Sequence, residues 1–131
     1  MPPSNSVDLA EMLRRPATGL LSEEAAVDLL IGHGLWLTRP DFTRRYIETD
    51  PTHIEDRVAF VRWKAAENAV KAGRLVCSGS EAAMLRIAAS IAEGIPVDLR
   101  DALGGLDAAN LDLVLHALAR TNGRRVQVTT R

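Results

Sequence analysis

One thiol, three imidazoles and a scatter of carboxylates are the groups in this 131-residue chain that could do chemistry. A nucleophilic cysteine needs a nearby base and a lowered pKa, which a helix N-terminus helps to supply. Cys77, the only cysteine, stands just before a predicted helix start. Leu75–Val76–Cys77 also reads as an apolar lead-in that packs against the following helix, and burial is the favoured reading. His33, His53 and His116 are spread along the chain, and no pair has the close helical spacing of a zinc site. His116 falls between Leu115 and Leu118 and reads as a partly buried or surface imidazole. Asp98, Asp101 and Asp107 stand where helix start signals belong, and Asp112 falls on the exposed side of a helix. Capping and solvation account for these carboxylates without acid–base catalysis. No catalytic, cofactor-binding or metal-binding residue is assigned, and no cofactor is expected.

Two further patterns concern phosphate. Ser78–Gly79–Ser80–Glu81 resembles the signature loop of ATP-binding cassette proteins, and its hydroxyls and backbone could meet a phosphate at a helix N-terminus. The chain has no GxxxxGK[ST] loop, and helix capping explains all four residues. Arg39, Arg44 and Arg45, with Thr43 and Tyr46, form the strongest basic patch. A helix that contacts nucleic-acid phosphates would look like this, and so would a solvated face balanced by Asp41 and Glu48. Arg124, Arg125 and Arg131 could add to such a surface. A helix-turn-helix over 87–103 fails, because with Gly94 in the turn Glu93 and Arg100 fall where that motif needs buried apolar residues.

The elements that must position these groups are helices. Ser78 and Glu81 form a capping box, in which each side chain satisfies a backbone N–H of the other residue. Met84, Ile87, Ala88, Ile91 and Ala92 then recur at helical spacing. Gly94 and Pro96 end that helix. Asp98 starts a short helix that stops at Gly104–Gly105. Asp107 starts another, with Leu111, Val114, Leu115 and Leu118 as its apolar stripe, Arg120 suited to the helix dipole and Gly123 as the stop. In the first half, Ser6 caps a helix over 7–14 that Pro16 stops. Ser22 caps the next, which ends at Gly32 and Gly34. Thr38 caps a third, with Pro40 near its start, running to about Glu48. A long helix begins at either Asp50 or Thr52, the latter in a capping box with Glu55, and runs to Ala72 before Gly73. Ile54, Val58, Val61, Ala65, Ala69 and Ala72 give it one apolar line, and Trp63, Ala66 and Val70 a second, so it is expected to be central.

Composition agrees. Hydrophobic residues make up 47% of the chain and aromatic residues only 4%, which favours closely packed helices over sheets. The net charge of −1 makes the whole neither strongly basic nor acidic. Residues 1–35 carry two basic and five acidic side chains, whereas 36–75 carry eight basic and six acidic. No apolar run approaches the roughly 20 residues that span a bilayer. The N-terminus lacks a signal-peptide pattern, and a single cysteine allows no internal disulfide, so a cytoplasmic protein without membrane attachment is expected. Residues 1–5 read as a flexible N-terminus and 6–123 as the domain. Residues 124–131 read as a flexible tail or, through Val126, Val128 and Thr130, as an edge strand for another chain.

The segment AGRLVCSGSEAAMLRIAASIAEGIPVDLRDALGGLDAANLDLVLHAL, residues 72–118, resembles one that recurs in small uncharacterised helical proteins of high-GC Gram-positive bacteria. HGLWLTRPDF, residues 33–42, and Trp63 are similar to the same group. The residues involved are caps, glycines and apolar positions. The resemblance therefore implies a shared helical fold and a cytoplasmic context, and transfers no activity or ligand.

The expected fold is one all-α domain of five or six helices around a long helix at about 52–72. The expected role is a non-enzymatic interaction or accessory protein whose partner is another protein or a second copy of itself. The alternative is a nucleic-acid-associated regulator using Arg39, Arg44 and Arg45, and the third reading is an enzyme using Cys77.

Overall fold

Among the described residues, Gly19, Gly34, Gly73, Gly94, Gly105 and Gly123 fall between or just beyond the helices. The computed structural model describes residues 5–50 and 57–127. Among them are α1 (Asn5–Ala17), α2 (Leu21–His33), a 3-10 turn (Trp36–Thr38), α3 (Pro40–Tyr46), β1 (Ile47–Thr49), β2 (Ala59–Val61), α4 (Trp63–Lys71), α5 (Gly79–Glu93), α6 (Leu99–Gly104) and α7 (Ala108–Thr121). The fold is a single, mostly helical domain, with seven helices among the described residues where five or six are expected.

In the second half the capping residues act as their types predict. The Glu81 N–H donates to the Ser78 hydroxyl at 3.2 Å, and the Ser78 N–H donates to the Glu81 carboxylate at 2.7 Å. Asp98 accepts from the Asp101 N–H at 3.2 Å, and Asp107 accepts from the Asn110 N–H at 2.8 Å. Gly94 ends α5 with φ +71°, a left-handed geometry costly to any residue with a Cβ.

The first half departs from expectation at four places. α1 starts at Asn5, ahead of Ser6, and continues through Pro16 to Ala17. Proline in a last turn removes one hydrogen bond, and burial of Leu13 and Ala17 holds the turn in place. α2 starts at Leu21, so Ser22 lies inside the helix and Leu20 occupies the cap position with no side-chain bond. The Glu24 carboxylate instead reaches back to accept from the Gly19 N–H at 3.2 Å. Thr38 belongs to the 3-10 turn, its hydroxyl donating to the Leu35 carbonyl at 2.7 Å, and Arg39 takes the cap position of α3. α3 ends at Tyr46, because Ile47–Thr49 has become a strand.

The fourth departure corrects the expected long helix. Residues 59–61 form β2, antiparallel to β1, with Ile47 opposite Val61, Glu48 opposite Phe60 and Thr49 opposite Ala59. Helix resumes only at Trp63. Thr52, His53, Ile54 and Glu55 lie outside the described residues. Arg62 pairs with Glu48 across the hairpin, and the Arg62 N–H donates to the Tyr46 carbonyl at 2.7 Å. Alternation explains the switch: Ala59 is buried and Phe60 exposed, as a half-buried strand requires.

The centre of the domain is therefore α2, which packs against α1, α5, α7 and the 3-10 turn. Ala25, Ala26, Leu29 and Leu30 on α2 share one core with Leu85, Ala88 and Ala89 on α5. Small residues let the helix axes approach closely. At Gly32 an added Cβ would lie 2.9 Å from the Leu113 side chain, so α7 presses directly on α2 there. Trp36, Phe42 and Tyr46 stack in a buried file with ring centroids 5.3 and 5.7 Å apart, and the Trp36 indole N–H donates to the Glu81 carbonyl at 3.1 Å. No described helix is long and apolar enough to cross a membrane.

Candidate functional site

The basic patch is split by its surroundings. Arg39 forks onto Asp41 at 3.0 and 2.6 Å, donates to the Val76 carbonyl at 2.7 Å and lies 4.8 Å above the Trp36 ring. Its hydrogen bonds hold the Asp41 carboxyl below the ordinary aspartate range. Arg39 thus ties the α3 start to the segment before α5, with its charge already matched. Arg44 and Arg45 are exposed and have no ion pair among the described residues. Arg124 and Arg125 are also exposed, beyond the end of α7, and Arg131 lies outside the described residues.

The other candidates fall into structural places. Cys77 is half-buried, and burial, with Glu81 nearby, pushes its thiol pKa up, opposite to what a nucleophile needs. His116 is exposed, its Nδ1 2.7 Å from the Asp112 carbonyl one turn back. His33 is partly buried with an unpartnered Nδ1, and desolvation lowers its pKa against the pull of Glu81 and Asp107. His53 lies outside the described residues. No group of three potential metal ligands occurs among the described residues. The hydroxyls of Ser78 and Ser80 lie 3.3 Å apart at the α5 cap.

Three features were not legible in advance. Arg120, expected only to suit the α7 dipole, reaches Asp28 at 2.8 Å and Glu24 at 3.5 Å on α2, and Asp28 also meets Arg14 at 3.3 Å. This network clamps α1, α2 and α7. The second is the α7 surface. The core takes Val114 and Ala117, whereas Leu111, Leu115 and Leu118 are 37, 37 and 42% exposed. Their spacing of four and three residues makes a continuous apolar stripe. α7 therefore has two apolar faces, one buried in the core and one exposed. Beside α7, a cavity of about 460 Å³ opens between Leu29, Leu113 and Val126. The third feature is a groove of about 300 Å³ that runs from the end of α1 to the end of α5 and holds Glu23 and Glu93.

Comparison of the chain with protein-family models, with curated proteins and with solved structures finds no match.

Proposed function

We propose that this chain is a non-enzymatic, cytoplasmic interaction protein that pairs with a second copy of itself through α7. The observation that carries the reading is the exposed stripe of Leu111, Leu115 and Leu118. An antiparallel pair centred near Leu115 sets Leu111 of one copy against Leu118 of the other, as a two-fold axis requires. It also opposes the two helix dipoles, and brings Asp107, the cap of α7, towards Arg124 and Arg125, just past the end of the partner's helix. Ala108 and Ala119 flank the stripe without bulk. Sedimentation velocity over a concentration series tests this. The expected result is a dimer that Leu115→Glu converts to a monomer with unchanged circular dichroism. A wild-type monomer at millimolar protein would refute the pairing.

A second reading rests on Arg44 and Arg45, whose exposure and lack of ion pairs leave both charges open to phosphate. A gel-shift titration across salt should then give a log–log slope of about −2, one unit per neutralised phosphate. Arg44→Ala with Arg45→Ala should abolish the shift. No shift at low salt removes this reading.

A further inference from the structure

Most carboxylates of the described residues have a cation or a backbone cap. Glu24 and Asp28 meet Arg120, Asp41 meets Arg39, Glu48 meets Arg62, and Glu81, Asp98 and Asp107 cap helices. Glu23 and Glu93 have neither, although folding aims both into one groove. Glu93 is the last residue of α5, where free carbonyls already make the helix end negative. Glu23 is partly desolvated against apolar walls, and burial, then the Glu93 charge, raises its pKa. The floor beneath them is the buried Val27, Ala59 and Trp63, and the rim carries Leu20 and Phe60, 57 and 51% exposed. Two like charges, the partly buried Glu23 and the exposed Glu93, thus line one cavity with two large exposed apolar side chains. A positive charge attached to a hydrocarbon body would pair with the charges and cover the apolar side chains.

We propose that this groove binds a small organic ammonium ion, with its cationic nitrogen between Glu23 and Glu93 and its apolar body on Leu20 and Phe60. A cavity of about 300 Å³ lies at the lower end of small-molecule sites. A bare hard cation fits less well, because calcium and magnesium need six or more oxygens and this floor is hydrocarbon. The Phe60 ring adds a face for the cation or its body. None of the groove's walls belongs to α7, so the site is independent of self-association.

Titration of the isotope-labelled protein, followed by amide chemical shifts, tests the proposal with three amines: phenethylamine, cyclohexylmethylamine and hexylamine. The neutral alcohol of each skeleton serves as its control. At least one amine is expected to move the amides of Glu23, Phe60 and Glu93 saturably, with its alcohol roughly tenfold weaker, the size of a lost charge-assisted contact. Glu23→Gln with Glu93→Gln should bring amine and alcohol to equal affinity. Equal binding of amine and alcohol to the wild type, saturable shifts confined to other surfaces, or no saturable shift from any of the three amines would each overturn the proposal. The amine–alcohol comparison needs no variant, so a misfolded double variant leaves the test intact.

Discussion

At Arg39 and Asp41, two residues apart in sequence, a bidentate contact turns a candidate phosphate ligand into a tie between α3 and the chain near Val76. Single residues take their roles from such neighbours. Trp63, 3% exposed, starts α4 under the groove, and Trp63→Ala should cost about 3–5 kcal/mol in urea unfolding. A loss well under that range would mean the indole site collapses without a cavity. Glu23 gives the opposite sign. Its folded pKa lies above its unfolded one, so the stability linked to it is complete below the ordinary glutamate range and is lost as pH rises through the raised folded value. Glu23→Gln should therefore raise the urea midpoint at neutral pH and flatten the stability–pH curve over that window. An unchanged curve would show the carboxylate to be fully solvated. Neither the Arg39 tie to Val76 nor the placement of Glu23 and Glu93 on one groove is legible from spacing, because each involves groups that only folding brings near one another.

Elements were legible where a cap chemistry was present. The Ser78–Glu81 box, Asp98 and Asp107 all bond as their residue types require. Ser78→Ala should cost about 1 kcal/mol, since one N–H at the start of α5 loses its acceptor. Thermal melting of that variant checks it, and an unshifted midpoint would show that water replaces the hydroxyl without penalty. Elements depart from the sequence pattern where packing replaces caps. Leu20 starts α2 with no side-chain bond, and Pro16 is carried inside α1 because its neighbours are buried. The strand pair is not legible in the sequence, because Val58, Val61 and Ala65 share a helical period with residues on either side. Two short strands cannot be told from a helix by periodicity when each contributes only three residues. What decides for the strands is the partner, Ile47–Thr49, and the Arg62–Glu48 pair that closes the hairpin.

For the whole molecule, one core joins all seven helices of the described residues, and α2 is its hub. Arg120→Ala tests a contact made only at this scale. It removes the partly exposed link from α7 to Asp28 and Glu24, and should cost about 1 kcal/mol or less, shrinking in high salt. Equal losses at low and high salt would mean that the arginine acts through packing. Leu115→Glu, by contrast, should leave the urea midpoint of the monomer nearly unchanged while abolishing self-association, because that side chain faces outward. Residue order by itself determined the helical class and most helix boundaries in the second half, since caps, stop glycines and apolar periods act within a few residues. It also determined that small side chains would dominate the core. Tertiary structure alone decided which helix is central, which leucines of α7 are buried, that 47–49 and 59–61 pair as strands, and which charges end up together. Those outcomes depend on distances between segments far apart in the chain, and local spacing carries no information about them.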